Sequence, residues 1–338
     1  MHSANKKACP LTPFNAFRAL TSLFSCNFAY HFENVILDMS MILIADSGGT
    51  KTDWALLHSP YPTRWEVVST FQTQGINPIH QSPDAIRQIL GQEMVPQLSL
   101  SSRKVLMSSH SLEMPLLSQV DVFFYGSGCT PVQAPAMKQL LAQVFQPEKI
   151  EVYSDLKAAA RALCQYEPGI ACILGTGANS CLYDGNDIVQ NTPALGYILG
   201  DEGGGAVLGR LFMNAIFKNP ALADVRDDYL SSTKLTQADI INKVYREPMA
   251  NRFLASTSLY ISEHLDHPLL RDLVVHNFRQ FFRVNIVPYQ HRDLPVHFVG
   301  SMAYHYRDLL AVAAADEGFT LGQVTKSPME GLIKYHGV

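Results

Sequence analysis

The stretch Met41–Leu57, MILIADSGGTKTDWALL, places a polar turn between two short apolar runs. The apolar runs cover residues 41–45 and 54–57, and the turn between them, residues 46–53, contains two adjacent glycines. Paired apolar runs joined by a glycine-containing turn predict a β-hairpin. We therefore expect a hairpin here, with the rest of the fold built around it.

The turn of this hairpin combines a carboxylate, Asp46, with two glycines, three hydroxyl side chains and Lys51. Glycines let backbone N–H groups approach an anion closely, and successive N–H groups form an anion-binding concavity. Asp46, at the end of a buried strand, is placed to hold a metal ion through water. The turn therefore suits a phosphate tail with Mg²⁺, although an ordinary Gly-Gly hairpin turn explains these residues equally well.

A second glycine turn, residues 175–180 (GTGANS), also lies between apolar runs. It nearly matches G-x-G-x-x-G, but the chain continues as a strand, so we exclude the Rossmann motif, and the P-loop pattern is absent throughout. A strand, glycine turn and strand thus occur near the start of each half. This duplication predicts two domains of one design that face each other across a cleft, each with one phosphate turn.

Composition limits the function classes. The 338 residues suffice for two domains with their own cores, and 47% hydrophobic with 17% charged residues fits a soluble globular protein. A net charge of −4 without a basic block argues against nucleic-acid binding, and no apolar run reaches the length of a membrane span. The six cysteines are scattered without a C-x-x-C pair, so we expect reduced thiols and a cytoplasmic protein.

The order of predicted elements divides the chain into three parts. Residues 1–40 differ in character from the remaining residues and are interpreted as a disordered extension or as the product of an overlong start, with Met39 or Met41 as the initiator. Strands alternate with helices in residues 41–160, which predicts an α/β domain with a mostly parallel sheet. Residues 161–338 repeat the pattern, with a helical insertion at about 206–290.

Three further places carry polar residues where a ligand would bind. Asp155 lies where a strand meets an Ala-rich helix, so it is either an N-cap, in competition with Ser154, or a general base at the ligand edge of the sheet. Asn77 lies in a loop before a proline, where it is either a turn residue or a ligand of sugar hydroxyls. The segment 200–205, GDEGGG, has a glycine density that we attribute to close approach of backbone to a ligand.

Together these motifs resemble the sugar kinase/actin/Hsp70 superfamily and, within it, the BadF/BadG/BcrA/BcrD-type ATPase family with its N-acetylglucosamine kinase-like members. The resemblance extends from about Met41 to about His336. In chain order, the matching motifs are Asp46–Asp53, Gly75–Asn77, Ser154–Asp155, Gly175–Ser180, Gly196–Gly203 and Val299–Ser301.

The resemblance implies an actin-like fold, in which two ribonuclease H-like α/β domains enclose ATP. It implies that Asp155 is the general base and that Asp46 positions Mg²⁺ through water. The implied ATP and phosphate ligands are Ser47, Gly48, Gly49, Thr50, Lys51, Thr52, Gly175, Thr176, Gly177, Gly300 and Ser301. The implied sugar ligands are Asn77, Asp155, Thr176, Gly196 and Asp201.

The function that we predict is ATP-dependent phosphorylation of an amino sugar, N-acetylglucosamine or a related hexosamine. The expected partners are this sugar and ATP, with no nucleic acid and no membrane, and the resemblance implies a homodimer. Two alternatives remain: an ATPase that activates a 2-hydroxyacyl-CoA dehydratase-type enzyme, and a non-catalytic sugar or nucleotide sensor. Asp46 and Asp155 argue against the sensor, because a protein that only binds has no need of a base.

Overall fold

The computed structural model describes residues 41–61, 64–101, 120–145 and 149–337, and the predicted extension, residues 1–40, lies outside them. These residues form two five-stranded sheets, one in each half of the chain. Among the helices that they form, none has both the length and the apolar character needed to cross a membrane.

The first sheet has the strand order β3-β2-β1-β4-β5. The strands are β1 (Met41–Ser47), β2 (Lys51–Tyr61), β3 (Arg64–Gln74), β4 (Val120–Gly126) and β5 (Ile150–Ser154). The central strand, β1, pairs antiparallel with β2 and parallel with β4. Its side chains at residues 41–45 are buried on both faces of the sheet, which explains why this strand is a continuous apolar run.

The second sheet repeats this plan, with the order β10-β9-β6-β7-β8. Its strands are β6 (Pro168–Leu174), β7 (Ala178–Asp184), β8 (Ile188–Thr192), β9 (Val296–Val299) and β10 (Leu321–Thr325). Again the central strand pairs antiparallel with the next strand in the chain and parallel with a later one. The predicted duplication of a strand, glycine turn and strand is confirmed, and with it the α/β class. The prediction of a mostly parallel sheet is wrong, because two of the four strand pairs in each sheet are antiparallel.

Among the described residues, the helices beside the first sheet include α1 (Pro83–Ile89), α2 (Ala134–Phe145) and α3 (Asp155–Cys164). A π-helical turn, Leu90–Met94, continues α1. Although a proline is typical of a first helical turn, α2 does not begin at Pro131 but three residues later, at Ala134. Residues 131–133 form a turn instead, in which the Thr130 carbonyl accepts the N–H groups of Gln133 and Ala134.

The second half is rich in helices, as the sequence predicted for residues 206–290. They are α4 (Gly196–Leu199), α5 (Gly205–Lys218), α6 (Ala223–Thr233), α7 (Gln237–Tyr245), α8 (Ala250–Glu263), α9 (Pro268–Phe281), α10 (Ser301–His305), α11 (Arg307–Asp316) and α12 (Met329–His336). Short 3₁₀ and π-helical turns at Pro220–Leu222, Phe282–Ile286 and Val287–Tyr289 complete this set.

Helix α3 lies between the two sheets. Its Ala158 and Ala162 join a core on the first sheet, and its Leu156, Ala159 and Leu163 join a core on the second. Helix α12 returns to the first half, where Leu332 is buried among residues of β1, β2 and β4. The boundary that we predicted at residue 160 therefore falls inside a helix that both halves share.

Candidate active site

The carboxyl ends of β1, β4 and β5 meet at one edge of the first sheet. Ser47 of β1 pairs in register with Gly126 of β4, which pairs with Ser154 of β5. The β1–β2 turn follows Ser47 directly, and Asp155 follows Ser154. The glycine turn and the candidate base therefore lie side by side, at the edge where α/β sheets bind their ligands.

The turn Gly48–Thr50 is closed on itself and supported from behind. The Gly48 N–H donates to the Lys51 carbonyl at 3.0 Å, and the Gly75 N–H donates to the Thr50 carbonyl at 3.1 Å. A Cβ at Gly75 would lie 2.4 Å from the Gly48 oxygen and 2.8 Å from the Thr50 nitrogen. Glycine at position 75 thus allows the next loop to lie directly against the turn.

The hydroxyl groups of Ser47 and Thr52 face the protein interior. Both side chains are fully buried, and their oxygens lie 2.6 Å apart. The Ser47 Oγ also lies 2.9 Å from the nitrogen and from the oxygen of Ile76, and the Thr52 Oγ1 donates to the Gln74 carbonyl. These hydroxyls therefore fix the turn to the loop behind it, and any contact of these two residues with phosphate would come from the backbone.

Ser154, and not Asp155, caps helix α3. The Ser154 Oγ accepts the Lys157 N–H at 3.2 Å, so the capping alternative for Asp155 is removed. Asp155 instead accepts the N–H of Leu156 at 2.8 Å. Burial raises the pKa of Asp155, while hydrogen bonds from Leu156 and from the Ser127 side chain oppose the rise.

Both halves of the molecule hold α3 in place. The Lys157 Nζ donates to the Asn186 carbonyl at 2.6 Å and to the Asp187 carboxylate at 2.7 Å, in the β7–β8 turn. One helical turn later, the Arg161 guanidinium donates to the Tyr125 hydroxyl of β4 at 2.7 Å. The position of Asp155 at the start of this helix is therefore fixed from both sides.

Three carboxylates meet at the base of the turn. Asp46 pairs with Asp53 across the hairpin, and Asp155 approaches from β5. Burial raises the pKa of Asp46 to about 7, and repulsion from Asp53 and Asp155 adds to this effect, while Lys51 opposes it. The Lys51 Nζ lies 2.9 Å from Asp53, so much of its charge is already paired.

This carboxylate cluster has the chemistry of a site that a divalent cation would stabilise, because a positive charge would relieve the repulsion that raises the Asp46 pKa. Among the described residues, no group of three or more His, Cys, Asp or Glu side chains is arranged to hold a metal ion.

The turn and Asp155 line one cavity of about 290 Å³ between the two sheets. The first half contributes Asp46, Ser47, Gly48, Gly49, Thr50, Lys51, Asp53 and Asp155. The opposite wall comes from the second sheet and the chain beyond it, with Ile173, Val299, Gly300, Lys326 and Pro328. A Cβ at Gly300 would lie 2.3 Å from the Leu174 oxygen, so this wall requires glycine there.

Of the other predicted ligands, Thr52, Asn77, Gly175, Thr176, Gly177, Gly196, Asp201 and Ser301 do not line this cavity. The second turn, residues 175–177, lies on the start of α5, where the N–H groups of Gly205 and Ala206 donate to the Gly175 and Thr176 carbonyls at 2.8 and 2.9 Å. A Cβ at Gly204 would lie 2.9 Å from the backbone of Gly177. The expectation that the 200–205 glycines approach a ligand is therefore corrected: at Gly204 and Gly205 the close approach is to another turn of the chain.

Asp201 connects this turn to the segment before it. Its carboxylate accepts the N–H groups of Ala178 and Gly196, and burial raises its pKa. Its backbone adopts the left-handed conformation, at φ 55°, that residues with a side chain rarely enter. From α9, the buried Asn277 accepts the Gly203 N–H at 3.1 Å, so the whole segment is anchored in the core of the second half.

Asn77 lies on the first half, beside the end of β4. Its Oδ1 accepts the Ile79 N–H at 2.9 Å, and its own N–H donates to Gln81 at 2.8 Å. A Cβ at Gly128 would lie 2.4 Å from the Asn77 Oδ1. The chain from Gly126 to Gly128 also carries Ser127, which bonds Asp155, so Asn77 is a neighbour of Asp155.

Comparison with known proteins finds relatives of this chain among solved structures. No family model and no curated protein matches the chain. A solved structure from Porphyromonas gingivalis, described as a proposed N-acetylglucosamine kinase, is 44% identical, with a TM-score of 0.75, and the match covers 88% of this chain and 98% of that one. The chain belongs to the sugar kinase family. A second solved structure, described as a proposed N-acetylglucosamine kinase from Chromobacterium violaceum, shares the fold of this chain. It is 18% identical, with a TM-score of 0.64, and the match covers 88% of this chain and 99% of that one.

Sequence reasoning missed one positively charged side chain in the cavity, that of Lys326. Lys326 lines the cavity and directly follows β10, which is parallel to β9. Ligands bind at the carboxyl ends of parallel strands, and this rule, which the sequence analysis applied to Asp155, applies to β10 as well. Lys326 was missed because its strand is short and carries no glycine motif.

Proposed function

We propose that the protein transfers the terminal phosphate of ATP to a hydroxyl of an amino sugar, N-acetylglucosamine or a related hexosamine. One observation carries the proposal: the glycine turn and Asp155 line the same cavity, opposite Gly300. The relative at 44% identity supports the choice of sugar. The motifs also retain their resemblance to the BadF/BadG/BcrA/BcrD-type family.

The two halves would divide the work of holding ATP. Backbone N–H groups of Gly48–Thr50, with Lys51 and Lys326 nearby, would hold the phosphates, and Gly300 and Ser301 would border the adenosine. The turn at residues 175–177 would meet the phosphate tail from the other half once the cleft closes on its ligands. Positioning and neutralisation of charge account for most of what a protein contributes to phosphoryl transfer.

Asp155 would take the proton of the sugar hydroxyl. The hydroxyl oxygen forms a bond to the terminal phosphorus as the bond from phosphorus to the bridging oxygen breaks, and that electron pair leaves with ADP. Burial raises the pKa of Asp155, so its carboxylate is a stronger base than a solvated aspartate once it is ionised. Asn77, next to the base, would bond the sugar, with Thr176, Gly196 and Asp201 on the facing half.

Asp46 would hold Mg²⁺ through water in this arrangement. Bound there, the ion supplies neutralising charge to the phosphate oxygens. The raised pKa of Asp46, which burial and two neighbouring carboxylates cause, supports a cation at this position. Asp46 is thereby kept ionised at the pH at which ATP binds.

The test is ADP release from ATP and Mg²⁺ by the purified protein, with N-acetylglucosamine, glucosamine, N-acetylmuramic acid, N-acetylmannosamine and glucose offered separately. We expect a rate that depends on one or two of the amino sugars. Asp155→Asn should lower this rate by at least about 100-fold, in line with the loss of a general base, while ATP still binds. ATP hydrolysis that is indifferent to every sugar would contradict the proposal.

A further inference from the structure

A positively charged side chain of the second half, Arg252, contacts the first glycine turn, Gly48–Thr50, across the cleft. The Nη2 of Arg252 donates to the Gly49 carbonyl at 3.1 Å, between residues that are 203 positions apart in the chain. Arg252 lies in the first turn of α8, after Met249 in the left-handed conformation, and its own N–H donates to the Met249 carbonyl at 2.9 Å. Arg252 thus reaches the turn from the start of α8.

Helix α8 is tightly attached to the second phosphate turn. It packs on α5 so closely that a Cβ at Gly209 would lie 2.0 Å from the Leu254 oxygen. The first residue of α5, Gly205, is hydrogen-bonded to the second glycine turn, residues 175–177, because its N–H donates to the Gly175 carbonyl. Arg252 is thus connected to the second turn through the packing of α8 on α5, and its side chain reaches the first turn.

The guanidinium of Arg252 has more N–H donors than its contact with the Gly49 carbonyl uses. It is exposed, and it does not occur in the ion pairs of the described residues. A guanidinium carries a permanent charge and five N–H donors, of which a single neutral carbonyl uses little. Gly49 leaves room for it, since a Cβ there would already lie 3.4 Å from the Nη2.

We propose that Arg252, which reaches Gly49 from the second half, clamps the terminal phosphate of ATP beside the Gly48–Thr50 turn. This inference rests on the proposed function and adds to it a residue of the helical insertion. A guanidinium binds phosphate oxygens in pairs, through bonds about twice as strong as neutral ones. By exchanging the Gly49 carbonyl for phosphate oxygens, Arg252 couples closure of the cleft to the presence of the terminal phosphate.

The clamp is tested by calorimetric titration of the full chain with Mg²⁺ and either ADP or a non-hydrolysable ATP analogue, together with the sugar-dependent rate. Arg252→Gln should weaken the ATP analogue by about 10- to 100-fold, as expected for loss of a bond to a charged group, and leave ADP within about twofold. The rate should fall at least as far, and Arg252→Lys should recover part of both losses. Arg271→Gln, at an exposed arginine in the first turn of α9, is the matched control and should change neither quantity.

Each contrary result has a distinct meaning. Parent-like binding and rate in Arg252→Gln would refute the clamp while the kinase proposal stands. Equal weakening of ADP and of the ATP analogue would also refute it, because Arg252 would then only steady the turn. If the parent protein binds neither nucleotide, the proposed function and the clamp are both overturned.

Discussion

Replacement of Gly75 by alanine tests whether the β1–β2 turn is held in place by the loop behind it. The added Cβ would lie 2.4 Å from the Gly48 oxygen, 2.8 Å from the Thr50 nitrogen and 2.9 Å from the Gly49 carbonyl carbon. All three atoms belong to the backbone of the turn, so no flexible side chain can move aside to make room.

The size of the effect follows from these distances. Real Cβ atoms essentially never come closer than 3.0 Å to another heavy atom, so the Gly48 oxygen must retreat from 2.4 Å to at least that distance. If this turn holds the phosphates as proposed, a displacement of about 0.6 Å should cost about 10-fold or more in rate, since about 1 Å can cost 100-fold. Overpacking of this kind typically destabilises a fold by about 1–3 kcal/mol.

The assay is the sugar-dependent rate with its ATP dependence, alongside thermal unfolding. Gly75→Ala should raise KM for ATP and lower kcat. The control is Gly91→Ala, because a Cβ at Gly91 meets nothing within 4 Å. Gly91→Ala should retain the parent rate and melt at the parent temperature or slightly above it. A Gly75→Ala variant with unchanged kcat and unchanged KM would refute the reasoning.

Two predictions concern buried polar groups. The pKa of Asp46 is about 7 in the folded chain, whereas in the unfolded chain an aspartate has a pKa of about 4. The unfolded state therefore releases this proton at lower pH, and the ligand-free protein should lose stability as the pH rises from about 4 to 7. Asp46→Asn should reduce this loss in thermal melts across that range, and identical profiles of variant and parent would disprove the assignment. Asn277→Leu should lower the free energy of unfolding by about 1–3 kcal/mol, because it leaves the Gly203 N–H without its acceptor. Denaturant titration measures this, with the exposed Asn214→Leu as control, and equal midpoints would rule out a structural role for the amide.

Several features of the fold followed from local pattern. The hairpin Met41–Leu57, its repetition at β6 and β7, and the helical stretch after residue 205 were read from apolar periodicity and glycine placement. These features depend on neighbours in sequence, which is why single-chain reasoning reaches them. The edge position of Asp155 also followed, because parallel strands bring their carboxyl ends together.

Two features of the site could be decided only from the tertiary structure. Sequence could not decide whether Asp155 or Ser154 caps α3, since both residue types suit that position and only the bond to Lys157 distinguishes them. It indicated hydroxyls at Ser47 and Thr52 but not that they turn inward to Ile76 and Gln74.

The contact of Arg252 with Gly49 shows the same limit most clearly. Its partners are 203 residues apart, and no local preference of either residue indicates the other. The sequence by itself determined which elements form and which residues stand at their ends. Only the packing of α8 on α5, and of the two sheets across α3, decided which of those residues meet, because such contacts depend on how whole elements stack in space.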